Sequence, residues 1–369
     1  MVGLADLPLH SGKVPRWILD IMRRMARAIV EIAIIELGEE KLALRLSNPL
    51  WFQAFNNAIG MDWDSSGSTT VVTAVIKEVC KELEYDFHVF GGKGKEMMKI
   101  EEEARSVKDL DVEKVVKSSI LMAKADSVLL QDGYTIYHNS IFVGGKVITG
   151  IHQGMNTYIK MARRYHWTQT ENFLVEPREI TGERERQVID YTSKNKDGAR
   201  KMLIDLLNEK PEKVLMDYYR AYNLLTGKRS LDQYFESSSI TIIDKEKRII
   251  YFKPINEKLL LSRLKIINEA KPKKIEEAML NGLTPSVTKA LSLISDLIYN
   301  EPPSYDDPVK YPYDPFKWAY TIGGKDGIPY RIRRDHADKV IKELEDIINK
   351  AKIDSKNREK AIKRLKMVN

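Results

Sequence analysis

Cysteine is almost missing from this chain. Of 369 residues only Cys80 carries a thiol, which excludes an internal disulfide and any zinc site built from several cysteines. Long hydrophobic runs are missing too: no stretch approaches the roughly 18 apolar residues that a membrane-spanning helix needs. The opening residues, MVGLADLPLHSGKVPRW, lack the basic-then-apolar layout of a secretory signal. Together these absences predict a soluble protein of the reducing cytoplasm. The GxxxxGK[ST] spacing of a Walker loop does not occur, so no nucleoside triphosphate site is implied. No repeat of fixed period and no low-complexity tract breaks the chain.

What is present suffices for sizeable cores, with 43% hydrophobic residues. The length predicts two domains, or one large domain with an extension. The formal net charge of +7 is modest, but it is unevenly placed. From Arg331 to Asn369 thirteen Lys and Arg face seven Asp and Glu. Such a block suits a polyanion partner, and equally a solvated helix in the Lys/Glu-rich manner of thermophiles.

Hydrophobic spacing of three and four predicts helix over 15–46, with Gly38 as a stop. A second helix should open at SNPLWF, with Pro49 in its first turn after Ser47 or Asn48. DWDSSGSTTVVTAVIKEVC reads as a turn feeding a helix with a hydroxyl-rich start, and FHVFGGKGKEM as a short strand and a glycine loop. After a helix over 111–126, SVLLQDGYTIYHNSIFVGGKVITGIHQGMN alternates as a strand pair does, around a Gly-Gly turn. NTYIKMARRYHW is then expected to be helical. Residues 183–227 return to helix, SSSITIIDKEKRIIYFKPI suggests a second hairpin, and the chain from 256 onward is helical apart from the link 301–316. The expected class is α+β, predominantly helical. Its N-terminal unit, 1–180, holds the small antiparallel strand pair; 181–255 is a helical segment with the second hairpin; 256–369 is a DNA-binding region with the basic tail.

Chemistry-bearing residues crowd around the strand pair. His138, His152 and His166 fall close together, beside Asp132, Gln153, Asn156, Arg163 and Arg164. On a strand, residues two apart share a face, which would align Asp132 with His138. On a helix after Asn156, Lys160, Arg163 and Arg164 would project together. Guanidinium pairs neutralise phosphate oxygens, and imidazole can act as base, acid or nucleophile near neutral pH. The set suits a phosphodiester, with His138 as base or nucleophile, Asp132 as its orienter or a metal ligand, His166 closing the group, and Gln153 and Asn156 as polar contacts. His138 and Asn156, with Gly154, also resemble the histidine and asparagine positions of phospholipase D-type phosphodiesterases, although Ser140 stands where those enzymes place lysine.

Three further motifs carry weaker signals. GGKGK could wrap a phosphate with backbone N–H groups while Lys93 and Lys95 add charge; a flexible connector explains it as well. Asp62 and Asp64, two apart, could share a divalent ion such as Mg²⁺ or Mn²⁺, or simply shape a turn. GGKDG supplies Lys325 in another glycine turn. Near the C-terminal end, LNGLTPSVTKAL resembles the LPGVGPKTVRAL type of helix-hairpin-helix that grips DNA backbone. Asn281 replaces its proline and Thr284 its second glycine.

Taken in order, ADLPLHSGKVPRW, SNPLWFQAF, DWDSSGSTT, GGKGK, QDGYTIYH, QGMN, ARRYHW, the LNGLTPSVTKAL segment and GGKDGIPY resemble the domain-of-unknown-function 763 family of archaea and bacteria. That resemblance implies a hairpin of the kind found in DNA repair proteins. In such an element Gly282 frees the turn, Thr284 caps the second helix, and the amides of Ser286 and Val287 with Lys289 face a phosphate. Helix-hairpin-helix glycosylases place a catalytic aspartate after the hairpin; the matching family position here is Arg333, with Asp335 two residues on. The expected partner is DNA, single- or double-stranded, and the expected function a phosphodiesterase of DNA repair. A non-catalytic DNA-binding protein and a base-excision glycosylase are the alternatives. The oligomeric state is open, a homodimer among the options.

Overall fold

The computed structural model describes residues 7–8, 16–61, 66–168, 172–182, 184–227, 248–310, 334–351 and 354–366. After the two-residue strand β1 (Leu7–Pro8), the expected first helix forms as α1 (Arg16–Leu37) and α2 (Glu39–Ser47), divided at Gly38. α3 (Pro49–Ala58) starts on Asn48, whose side chain accepts from the amides of Leu50 and Trp51 at 3.0 Å. Pro49 takes the first position, where its missing N–H costs nothing. α4 (Gly67–Glu82) completes an all-helical layer. Cys80 lies within it, and burial pushes its thiol up to about 12, so the one sulfhydryl is a packing group.

The chain then crosses into a sheet. β2 (Phe87–Lys93) is followed by a 3-10 turn, Gly94–Lys99, by α5 (Ile100–Arg105) and by α6 (Val112–Lys124). A π turn, Ala125–Leu129, leads to β3 (Leu130–Gln131). The predicted hairpin is present as β4 (Thr135–Gly144) and β5 (Val147–Asn156), turning through Gly145 and Lys146. β6 (Met161–Trp167) and β7 (Glu179–Thr181) extend it, and β8 (Ile189–Asp190) pairs with β3. The main sheet has six strands in the order β1-β6-β5-β4-β2, with β7 also on β6, and its paired strands run antiparallel.

Thus the strand pair is the centre of a larger sheet, and three local expectations need correcting. NTYIKMARRYHW is not a helix. It is a tight turn and then β6, whose residues from Ala162 onward are buried on both faces. A strand enclosed on both sides shows no alternation of apolar and polar residues, which is why its pattern misled. Asn156 sets the turn by accepting from the amides of Tyr158 (3.1 Å) and Ile159 (3.4 Å). The second hairpin falls mostly outside the described residues, and its last part, Ile249–Tyr251, is a 3-10 turn. The first glycines of GGKGK are not a loop: Gly91 and Gly92 belong to β2. Gly91 has φ +81°, and a Cβ there would collide with the Asn139 carbonyl, so glycine is needed for the two strands to close.

Helices cover both faces of the sheet. On one side lie α1–α4, packed on Phe87, Val89, Phe142 and Ile151. The last two helices, α12 (Arg334–Lys350) and α13 (Ser355–Lys366), join this same layer through Leu344, Ile347, Ile348 and Ile362. On the other side, α5 and α6 meet α7 (Asp197–Asn208), α8 (Pro211–Thr226), α9 (Glu257–Ala270), α10 (Ile275–Leu280) and α11 (Pro285–Leu297) over Phe90, Ile141, Val143 and Trp167. The fold is α+β and predominantly helical. Among the described residues no helix is long and apolar enough to cross a membrane.

Candidate functional site

Strand register decides which of the crowded residues meet. Lys93, His138, Gln153 and Arg164 are successive cross-strand partners across β2, β4, β5 and β6. Directly opposed residues share a face, so the four form a row beneath α3 and α4. The row depends on a bulge: the register shifts between Ile136 and His138, leaving Tyr137 as the extra residue. Tyr137 donates its hydroxyl to Gln153 Oε1 at 2.9 Å, and the Lys93 ammonium lies 5.8 Å from its ring.

Arg164 is fully enclosed. Its Nε donates to Thr69 Oγ1 and one Nη to Ser68 Oγ, both 2.5 Å, while the other Nη reaches Gln53 Oε1 at 3.2 Å. The hydroxyl-rich start of α4 is therefore a receptor for a buried guanidinium. His138 is also fully buried. Its Nε2 lies 2.9 Å from Ser140 Oγ and 3.2 Å from Thr73 Oγ1. Thr73 already gives its proton to the Thr69 carbonyl at 2.8 Å, so its oxygen receives Nε2–H. Nδ1 is then a lone pair with no partner. Burial, with His152, Lys93 and Arg164 nearby, lowers the His138 pKa to about 3.

His166 repeats the pattern in the same layer. Its Nδ1–H donates to the Ser47 carbonyl at 3.1 Å, and Nε2 has no partner. Burial and then Arg164 lower its pKa to about 3. Among the described residues Gln153 Nε2 and both amide atoms of Asn56 are, like His138 Nδ1 and His166 Nε2, buried without partners. A buried polar group left unpaired costs about 1–3 kcal/mol. Such atoms are not confined to this layer: among the described residues His152 Nε2 and Asn139 Oδ1, on the opposite face, also lack partners.

The opposite face holds the rest of the expected set. Arg163, one residue from Arg164, points the other way and bridges Asp132 Oδ2 (3.0 Å) and Asp307 Oδ2 (2.9 Å). Tyr165 donates to the same Asp132 oxygen at 2.8 Å, and the Tyr134 amide to the other at 3.2 Å. Burial raises the Asp132 pKa, against the pull of Arg163. The two arginines do not project together, and Asp132 does not orient His138: on strands, neighbouring residues part to opposite faces. Asn156 is used in its turn. On this side Asp126 collects His152 Nδ1 and Trp167 Nε1, each at 2.7 Å, together with Arg178. Asp126, Asp307 and Arg178 were not foreseen; nothing local in the sequence ties Asp307 to Arg163 across 144 positions.

Asp62, Asp64 and Lys325 lie outside the described residues. Among the described residues no cluster of three His, Cys, Asp or Glu side chains offers a metal site. Lys95 is exposed in the 3-10 turn after β2.

The helix-hairpin-helix-like segment forms α10, a turn and α11. Gly282 adopts φ +99°, Thr284 caps with its hydroxyl 3.4 Å from the Val287 amide, and Pro285 opens α11. The Val287 amide is thus taken and its side chain buried, so it does not face outward as expected; Ser286 is exposed. Two side chains fasten the turn: Lys124 Nζ donates to the Leu283 carbonyl at 2.9 Å, and Gln131 Nε2 to the Pro285 carbonyl at 3.0 Å. Burial and Arg263 lower the Lys124 pKa; burial and Lys253 lower that of Lys289. Among the described residues none of these four cations makes an ion pair.

Architecture and site therefore define a class: an α+β protein with a buried polar layer on one face of its sheet and a cationic hairpin on the other. The chain matches the family model described as "Protein of unknown function (DUF763)" over residues 3–332, and it belongs to that family. No curated protein and no solved structure matches it.

Proposed function

We propose that this protein binds DNA through the phosphodiester backbone and cleaves it as a nuclease of DNA repair. The observation that carries the reading is the gathering of Lys124, Lys253, Arg263 and Lys289 around the α10–α11 turn, with no ion pair to any of them among the described residues. Two of these lysines have depressed pKa values from burial and like charge, and a bound phosphate would relieve both effects. The test is duplex and single-strand binding across a salt series. Log affinity should fall with log salt by about 0.9 per phosphate contact on duplex and about 0.7 on single strands. Lys289→Ala should lower both affinity and slope. A flat salt curve, or no binding at about 50 mM salt, would refute the reading.

The cleavage half rests on the buried polar layer under α3 and α4. His138 Nδ1 is an unprotonated lone pair, Gln153 Nε2 an unused donor, and Arg164 a guanidinium beside them. A base, a donor and a cation are what attack on a phosphodiester requires. Because His138 and His166 are fully buried, the α3–α4 layer has to part from the sheet for a substrate to enter. His138→Gln should reduce cleavage of labelled DNA by about 10²–10⁴-fold while leaving salt-dependent binding in place. If the parent protein cleaves no single- or double-stranded DNA, with or without Mg²⁺ or Mn²⁺, the protein is a DNA-binding module without catalysis.

A further inference from the structure

One cavity belongs to neither the His138 layer nor the Arg163 ion cluster. It is a cleft of about 720 Å³ between α6, the start of β4 and the turn before α5, with Pro285 and Lys289 of the hairpin at its mouth. Its walls are apolar and adaptable: Met97, Met98, Val116, Ile120, Leu130 and Ile136. Met98 is 78% exposed and Ile120 40%, apolar surface in the same cleft as Lys289. The one carboxylate on the lining, Glu101, is held by Arg105 at 2.6 Å.

The floor is polar and incompletely used. Asn139 is 5% exposed and its Nδ2 donates to Ser119 Oγ at 3.1 Å; its Oδ1 has no partner. Both residues line the cleft. A ligand that fits would be flat and largely apolar, would offer an N–H to Asn139, and would carry an anion at the end nearest Lys289. Methionine sulfur packs well on aromatic rings, and exocyclic amino or ring N–H groups are what an amide oxygen reads on a base.

We propose that this cleft receives an unpaired nucleobase, its amino or imino N–H on Asn139 Oδ1 and its phosphate on Lys289 at the hairpin. The inference rests on the DNA-binding reading above and names the part of the nucleic acid that this face reads. Single-stranded or everted nucleotides satisfy it; a base held in a duplex does not, because it stays stacked between its neighbours and cannot enter a cleft.

Two oligonucleotides with the same number of phosphates separate the two proposals. One is an ordinary single strand, the other a strand in which every base is replaced by an abasic residue. The ordinary strand should bind about tenfold or more tightly, as base contacts with protein typically contribute, with the same salt slope. Asn139→Leu and Ile120→Glu should each remove most of that difference. Ile120 is partly exposed, so its variant tests the cleft even if Asn139→Leu fails to fold. Lys289→Ala should weaken both strands equally. A 2-aminopurine in the bound strand should change its emission in the parent protein and not in Ile120→Glu. Equal, salt-dependent binding of both strands would overturn the base site while leaving DNA binding intact. No binding of either strand would overturn both.

Discussion

Arg163 and Arg164 are neighbours in one strand, yet they live under opposite electrostatic regimes. Arg163 is closed by two carboxylates and flanked by Tyr134 and Tyr165, a set in which charge is matched to charge. Arg164 is held by hydroxyls and an amide, in a layer where two imidazoles and two amides keep unused polar atoms. A balanced ion cluster fixes the sheet to the C-terminal half. The Arg164 layer is held by neutral hydroxyls and amides, with two buried imidazoles among them. The difference is one of charge, carboxylates around Arg163 and neutral groups on Arg164, since unpaired polar atoms among the described residues occur on both faces, His152 Nε2 and Asn139 Oδ1 on that of Arg163.

The largest effect should come from breaking the balanced side. Arg163→Met leaves Asp132 and Asp307 facing each other in the interior, and removing one partner of a buried ion pair typically costs about 3–5 kcal/mol. Urea unfolding at neutral pH measures it. The loss should shrink as pH falls, because protonating Asp132 removes the stranded charge. A loss under about 1 kcal/mol would show that the cluster does not carry the structure.

The layer with the buried imidazoles should respond to acid instead. His138 and His166 have folded-state pKa values near 3, below the unfolded value of about 6.5. The unfolded chain then binds more protons between these limits, so stability is complete above about pH 6.5 and is lost as pH falls toward 3. Each imidazole contributes about 1.4 kcal/mol of loss per pH unit within that window. Burial gives Asp132 the opposite sign, its raised pKa favouring the folded state at lower pH. Unfolding at successive pH values should therefore steepen in acid, and His138→Gln or His166→Gln should each flatten the curve. An unchanged curve in both variants would mean that these imidazoles are not held neutral by burial.

How much of this was legible depends on where the determining contacts lie. Gly38, Asn48 with Pro49, the VGGK turn, and Thr284 with Pro285 act within a few residues, and each does in the structure what its type predicts. MARRYHW failed because its partners lie far along the chain: Ser68 and Thr69 for one arginine, Asp132 and Asp307 for the other. A strand whose polar side chains are all satisfied inside the protein loses the alternation that identifies strands. The density of histidine, arginine and amide around the hairpin was visible; the division of that set between two faces was not, because it turns on Arg163 and Arg164 lying on a strand and not on a helix.

The smallest expected effect sharpens the contrast on the cationic side. Thr284 stands where the related hairpin carries glycine, and its cap is long, 3.4 Å to the Val287 amide. Thr284→Gly should lower stability by only about a few tenths of a kcal/mol, as glycine replaces a capping residue at small cost. The same change removes a half-buried side chain beside Ser286 and Lys289, where a phosphate would approach the backbone. DNA affinity should therefore rise while the thermal midpoint falls slightly, two readouts moving in opposite directions. A turn that serves only to join α10 to α11 cannot produce that pattern. If affinity stays fixed and stability drops by several kcal/mol, the hairpin is architecture, and the four unpaired cations need another explanation.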